Sequence, residues 1–214
     1  MTNTENLEFK VSQYYECKLQ LHGATPKGVD WRDENAQNWR FEGQLHLALK
    51  HNLAVNKILD YGCGYGEFLN YLRSKGFVGR YLGFDISKKM IEEAKKIHRL
   101  DKNSIFSTEL NSPEKHDVCF SSGTFNVMFS DRDNWLNDFV KPNILKMLKY
   151  SENVIVGFLN SNPSYVLENL LYIEINEISK LLPSNIYIKD SLFIENTWEY
   201  CLLLCSNSEK REPQ

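Results

Sequence analysis

Residues 58–69, ILDYGCGYGEFL, set an aspartate, Asp60, ahead of three glycines that alternate with other residues, Gly62, Gly64 and Gly66. Glycine has no Cβ and accepts positive φ values, so a loop of this composition lets a ligand approach the backbone closely. The apolar run before the loop and the helical spacing after it indicate a strand that turns into a helix. Glycine-rich turns of this kind bind nucleotides. The spacing therefore predicts a ligand site at this turn.

Three kinds of ligand can be compared with the loop. A phosphate-binding P-loop ends in Gly-Lys-Ser/Thr, whereas here Gly66 is followed by Glu67 and Phe68. The dinucleotide fingerprint requires a glycine at position 67, and an anionic Glu67 at the helix N-terminus competes with a pyrophosphate for the same place. S-adenosylmethionine has an adenosine but no phosphate, and its amino-acid part needs a close approach to the backbone. The loop therefore favours S-adenosylmethionine.

Residues at the ends of the neighbouring predicted strands fit the same cofactor. Asp60 can attract its ammonium group, and Asp85, at the end of the second strand, can accept hydrogen bonds from both ribose hydroxyls. Glu109 and Leu110 are expected to end the third strand, where a carboxylate and a backbone amide can read the adenine edge. The same turns supply four further candidates for binding the cofactor, Cys63, Ile86, Met90 and Ser122.

Strand-like and helical segments alternate from residue 56 to about residue 160. This alternation predicts an α/β fold with a Rossmann-like, doubly wound, mostly parallel sheet. The last two strand-like runs, NIYIKDSLFI and TWEYCLLLCS, are so close in sequence that they permit only antiparallel pairing. We expect residues 1–52 to form a helical cap or lid of the same domain, residues 53–206 the cofactor-binding core, and residues 207–214 a flexible tail.

Three segments carry a resemblance to a known family. ILDYGCGYG, YLGFDISKKMIEEAKK and HDVCFSSGTFN resemble motif I, the acidic second strand and the fourth-strand motif of class I S-adenosylmethionine-dependent methyltransferases. The resemblance covers residues 56–206 and implies transfer of a methyl group to an O or N atom by in-line displacement. The front segment resembles the cap of bacterial small-molecule methyltransferases, which implies a small-molecule acceptor.

In that cap, Arg40 looks like the arginine that small-molecule methyltransferases place on the cofactor's carboxylate. A guanidinium and a carboxylate form a good bidentate pair. The alternative is a surface arginine paired with Glu42 or Asp33. Both interpretations predict an ion pair at Arg40, and they differ in whether its partner belongs to the protein.

Candidates for the acceptor side lie on the cap and after the fourth strand. Tyr14, Tyr15 and Trp31 can wall the acceptor site, because aromatic faces suit the positive charge of a sulfonium. His22 is the candidate general base, and Asn126 is expected near the transferred methyl group. The alternatives are that the aromatic residues pack the cap on the core, that His22 is structural, and that Asn126 forms a turn.

Composition limits the partners. The net charge of -3 gives no electrostatic basis for binding nucleic acid, and no apolar run is long enough to span a membrane. The N-terminus does not resemble a signal peptide, and five cysteines without CxxC spacing indicate reduced thiols in a cytoplasmic protein. No spacing of His, Cys and acidic residues indicates a metal site. A protein or nucleic-acid acceptor, an inactive methyltransferase-like binding protein and an NAD-linked oxidoreductase remain the alternatives.

Overall fold

A computed structural model describes residues 3–161 and 166–207 of the 214-residue chain. Its centre is a seven-stranded sheet in the order β3-β2-β1-β4-β5-β7-β6. The first five strands run parallel to one another, while β7 is antiparallel to both β5 and β6. The strands are β1 (Lys57–Tyr61), β2 (Arg80–Phe84), β3 (Ser104–Ser107), β4 (His116–Ser121), β5 (Ser151–Leu159), β6 (Ile186–Phe193) and β7 (Glu199–Ser206).

Helices cover both faces of this sheet and precede its first strand. They are α1 (Asn3–His22), α2 (Glu34–Lys50), α3 (Glu67–Ser74), α4 (Lys88–Ile97), α5 (Arg132–Asn134), α6 (Lys141–Tyr150) and α7 (Ile175–Leu181). A 3-10 turn, Pro26–Val29, lies between α1 and α2, and a π-helical stretch, Trp135–Val140, joins α5 to α6. Side chains cap several of the helices: for example, Asp33 accepts a hydrogen bond at the start of α2, and Ser87 does so at the start of α4.

Two apolar clusters form the core, one on each face of the sheet. Successive residues of a strand point to opposite faces, so Ile58 of β1 belongs to one cluster and Leu59 to the other. The first cluster packs under α2, α3 and α4, and the second under α6 and the π-helical stretch. Because both faces are covered, β7 is buried along nearly its whole length, from Glu199 to Cys205. The two layers hold the carboxyl ends of the parallel strands in fixed positions.

The predicted fold class is confirmed: the sheet is mostly parallel and ends in an antiparallel pair. Two long helices precede the sheet, as expected of residues 1–52, and the division into cap, core and tail stays a prediction. Most of the expected flexible tail, residues 208–214, lies outside the described residues. Within residues 3–161 and 166–207, none of the helices combines the length and the apolar character that crossing a bilayer requires.

Candidate active site

The loop between β1 and α3 depends on glycine at each of its three alternating positions. Gly62, Gly64 and Gly66 have φ values of +82°, +54° and +88°, which lie in the left-handed region. A Cβ on Gly64 would also come within 2.9 Å of Val29 Cγ1, so the cap packs directly on the loop. Other residues would be strained at all three positions; a Cβ on Gly62 would also collide with Thr124, and one on Gly66 with His98 and Phe106. The sequence pattern therefore has a physical cause in the backbone.

Asp60 is the penultimate residue of β1 and is only 4% exposed. Its Oδ2 accepts a hydrogen bond from the hydroxyl of Tyr81, on the neighbouring strand β2. Burial raises the pKa of Asp60 to about 7, the Tyr81 hydrogen bond opposes this increase, and the charge of Asp85 adds to it. A cation that enters the site would favour the ionised carboxylate. Asp60 is thus able to receive a positively charged group.

Asp85 follows β2 directly and connects two loops. It accepts hydrogen bonds from the backbone N–H of Gly64 at 2.9 Å and of Ser87 at 2.8 Å. Burial raises its pKa to about 6, and the two backbone hydrogen bonds act in the opposite direction. A carboxylate offers about four acceptor positions, so these two bonds leave capacity for a ligand's hydroxyl groups. Asp85 therefore fixes the glycine loop and can still accept further hydrogen bonds.

A cavity of about 540 Å³ lies between the carboxyl ends of the parallel strands and the N-terminal helices. It adjoins the ends of β1, β2, β4 and β5, so residues from distant parts of the chain meet in one place. Binding clefts of α/β sheets lie at this edge. The site residues expected from the sequence that line it are Tyr15, Trp31, Arg40, Asp60, Gly62, Cys63, Gly64, Asp85, Ile86, Met90, Ser122 and Asn126.

The structure corrects the expectation about the third strand. β3 ends at Ser107, and not at Glu109, because the chain turns there and the backbone N–H of Glu109 donates to Ser107 Oγ at 3.0 Å. Glu109 is exposed and accepts a hydrogen bond from Asn111 at 2.8 Å, while Leu110 packs in the core. Neither residue lines the cavity, and neither does Gly66, which starts α3. The structure thus gives no support to an adenine-reading role for Glu109 and Leu110.

Two acceptor-side candidates also lie away from the cavity. His22 is the exposed last residue of α1 and does not line the cavity, so the structure gives no support to its role as a base, which stays a prediction. Tyr14 does not line the cavity either. Its hydroxyl donates to Asp30, and its ring packs edge-on against Tyr15 and Phe129. For Tyr14 the structure therefore supports the alternative, packing of the cap.

Asn126 has both a turn-forming backbone and a side chain at the cavity wall. Its backbone N–H donates to Gly123 O at 3.2 Å, and its carbonyl accepts from Leu171 at 2.8 Å. The residue is 7% exposed, and its Oδ1 has no hydrogen-bond partner among the residues that the structure describes. The backbone supports the turn-forming alternative, and the position on the wall leaves a contact with a ligand possible.

Arg40 has a protein partner that differs from both of those considered. Its Nε and Nη2 each donate to the Glu199 carboxylate at 2.6 Å, and Nη1 donates to the carbonyl of Ala36. The guanidinium carbon lies 4.0 Å from the ring centroid of Trp31. The side chains of Arg40 and Glu199 are only 12% and 4% exposed. Arg40 thus joins the cap to β7 at the wall of the cavity.

The cavity residues that the sequence analysis does not identify include Trp39, Tyr172, Trp198 and Glu199. Trp39 lies on α2 and Tyr172 just before α7. Trp198 and Glu199 lie where β7 begins, far along the chain from the glycine loop, and no local spacing connects them to it. The single available signal is compositional, since three of the four tryptophans in the sequence line this one cavity.

Comparison with known proteins identifies the family to which these features belong. A model of the family described as "Methyltransferase domain" matches residues 54–187, which is more than half of the chain. Rv1506c of Mycobacterium tuberculosis, a protein with a methyltransferase name, is 36% identical over 76 residues. That match covers 36% of this chain and 46% of the relative, so the chain spans about half the length of the curated relative it matches.

Solved structures share the fold at low sequence identity. A SAM-dependent methyltransferase from Leishmania major has a TM-score of 0.68 at 18% identity, covering 92% of this chain and 82% of that one. Magnesium protoporphyrin IX methyltransferase from Synechocystis was solved with bound S-adenosylhomocysteine (SAH). It has a TM-score of 0.61 at 16% identity, covering 96% of this chain and 99% of that one. With the family match, these likenesses give the conclusion: the chain belongs to the methyltransferase-domain family of class I, whose cofactor is S-adenosylmethionine.

Proposed function

We propose that the protein transfers a methyl group from S-adenosylmethionine to an O or N atom of a small molecule. The observation that carries this proposal is the covered cavity of about 540 Å³, which joins the glycine loop to an aromatic wall. Small-molecule sites have volumes of roughly 300–1,000 Å³ and combine apolar walls with a few polar groups. This cavity has that size and that composition.

The residues of the cavity suit the cofactor. We assign its amino-acid part to Asp60 and the glycine loop, and its ribose to Asp85. Ile86 and Met90, beside Asp85, provide an apolar surface for the adenine ring of the cofactor. Cys63 and Ser122 line the same wall, and Arg40 stays a prediction for the carboxylate. When bound, S-adenosylmethionine supplies a methyl group on a positively charged sulfur.

The role of the chain in such a reaction is to align the acceptor and to exclude water. The cap provides this enclosure, because Val29 packs on Gly64 and Trp31 packs on Gly123. Tyr15 and Trp31 contribute aromatic surface to the wall. A neutral amine needs no base, whereas an alcohol gains from one.

A small acceptor fits the enclosure better than a macromolecule does. α1, α2 and the turn between them cover the carboxyl edge of the sheet, where a bound chain or duplex would need an open groove. A net charge of -3 also disfavours nucleic acid. All five cysteines are free thiols, which supports the cytoplasm as the compartment.

Calorimetric titration of S-adenosylmethionine and S-adenosylhomocysteine into the purified protein tests the cofactor assignment. We expect saturable binding of both ligands, and a loss of roughly tenfold or more in Asp85→Asn, because charged hydrogen bonds contribute about 1.5–3 kcal/mol. Asp117→Asn is the matched control. Asp117 also accepts two backbone N–H bonds, from Asn56 at 2.8 Å and Lys57 at 2.9 Å, but it lies outside the cavity wall.

The acceptor class needs a second assay, release of S-adenosylhomocysteine in the presence of candidate acceptors. Turnover with small amines or alcohols, and none with protein or RNA, would support the proposal. Turnover with a macromolecule alone would replace the small-molecule acceptor by the first alternative. Cofactor binding without turnover on any acceptor would favour the inactive binding protein, and binding of NAD in place of S-adenosylmethionine would overturn the assignment of the loop.

A further inference from the structure

The buried ion pair between Arg40 and Glu199 connects two elements that meet across the cavity. Arg40 lies on α2, in the cap, and Glu199 is the first residue of β7, opposite Leu159 of β5. Both partners of the ion pair line the cavity. Burial raises the pKa of Glu199, and Arg40 counteracts this increase. Burying an ion pair costs hydration energy, which must be offset by hydrogen bonds of good geometry. The two hydrogen bonds of 2.6 Å between Arg40 and Glu199 meet this requirement.

The pair continues into the covering segment of the cap. The Arg40 guanidinium packs on the ring of Trp31, and Trp31 packs on Gly123, in the loop after β4. Gly123 has a φ of +77°, and a Cβ there would collide with the Trp31 ring. One continuous set of contacts therefore runs from β7 through Glu199, Arg40 and Trp31 to the loop after β4. We call these three residues, together with Gly123, the brace.

We propose that Glu199 is a positioning residue, which holds Arg40 and Trp31 in place so that the cap stays closed over the bound cofactor. The inference rests on the proposed function, because it assumes that the cavity binds S-adenosylmethionine. Glu199 acts through Arg40: without the carboxylate, the guanidinium loses two of its three hydrogen bonds and Trp31 loses a fixed neighbour. Ligand would then leave the cavity faster, although Asp60, Asp85 and the glycine loop are unchanged.

A second ion pair, which joins α2 to the neighbouring strand β6, provides the control. Lys50, the last residue of α2, lies 2.6 Å from Asp190 of β6, and neither residue lines the cavity. Both pairs tie α2 to the antiparallel strands, but only the pair of Arg40 and Glu199 is part of the brace. Lys50 and Asp190 are 49% and 24% exposed, so their pair contributes less to stability than the buried one and reports the loss of a tie between α2 and the sheet outside the brace. Asp190→Asn therefore separates positioning from general stabilisation.

The test measures the affinity and the dissociation rate of S-adenosylhomocysteine for the wild type, Glu199→Gln, Arg40→Gln, the double variant and Asp190→Asn. Calorimetry gives the affinity, and the fluorescence of the cavity tryptophans gives the rate. We expect roughly tenfold weaker binding and faster release in Glu199→Gln, because the guanidinium loses the two charge-assisted hydrogen bonds that hold it beside Trp31. Asp190→Asn should stay within about twofold of the wild type.

The double variant covers the case in which one unpaired buried charge prevents folding. It removes both charges together, and we expect it to bind no more weakly than either single variant, because the two residues act as one unit. Wild-type affinity in both Glu199→Gln and the double variant would overturn the inference, and so would an equal loss in Asp190→Asn. A wild type that binds no S-adenosylhomocysteine would instead refute the proposed function, which keeps the two failures distinct.

Discussion

Asp60 makes the stability of the protein depend on pH in a direction opposite to that of most carboxylates. Burial raises its pKa from an ordinary value of 3.8 to about 7, so the folded state prefers the protonated acid. The carboxyl group of Asp60 ionises near pH 4 in the unfolded chain and near pH 7 in the folded protein. Between these values the folded state binds more protons, so the free energy of unfolding falls as the pH rises. The loss is complete above the folded pKa.

The magnitude follows from the shift. Three pKa units correspond to about 4 kcal/mol at about 1.36 kcal/mol per unit, of which about 3 kcal/mol falls between pH 5 and pH 8. Asp60→Asn removes this contribution, because an amide does not ionise and its oxygen can still accept the Tyr81 hydrogen bond. The stability of the variant relative to the wild type should therefore rise by about 3 kcal/mol between pH 5 and pH 8.5. It should also bind S-adenosylmethionine more weakly, since the charge for the ammonium group is gone.

Urea unfolding at both pH values measures the difference, provided that the transition is two-state. Asp131→Asn is the control: the N–H of Asn134 holds the pKa of Asp131 below its ordinary value, so that carboxylate is ionised throughout the range. Its substitution should change stability equally at both pH values. A wild-type minus Asp60→Asn difference that does not change between pH 5 and pH 8.5 would refute the argument that burial dominates at Asp60.

Three further results are expected. Gly123→Ala should destabilise the fold by about 1–3 kcal/mol in urea, since the φ of +77° and the Trp31 ring both exclude a Cβ; unchanged stability would contradict this packing. Native protein should show one fast-reacting thiol, Cys17, with a thiol reagent, and five when unfolded, because burial raises the pKa of the four buried thiols. Affinity for S-adenosylmethionine should rise from pH 5 to pH 8 as Asp60 and Asp85 ionise, with pKa values of about 7 and about 6; a flat titration would argue against both contacts.

The sequence predicted the parts of the site whose signals are local. Alternating glycines and the aspartates at strand ends have fixed spacings, since parallel strands bring their carboxyl ends to one edge. The end of β3 was misplaced because the strand is short and Ser107 turns the chain through its side chain. The residue type of His22 suggests a base, but its exposure at the end of α1 depends on the fold and is not visible in the sequence.

Glu199 illustrates what a sequence alone leaves open. It is separated from Arg40 by 159 positions. In the sequence it lies in TWEYCLLLCS, a run that looks like one strand of an ordinary antiparallel pair. Whether a strand-end carboxylate faces solvent or a cavity depends on the cap, whose placement is set by packing of Val29 and Trp31 on glycines. Long-range contacts of this kind follow from the fold, and their residue types carry no periodic pattern that would reveal them.

The position of β7 inside the sheet has a consequence for synthesis on the ribosome. β7 lies between β5 and β6, yet it leaves the ribosome after both of them. β5 ends at Leu159 and β7 begins at Glu199, so at about 5–20 residues per second the edge of β5 lacks its final partner for several seconds. That edge is apolar and extended, which makes it a template for pairing with another nascent chain. Slow translation of this interval should therefore lower the yield of folded protein.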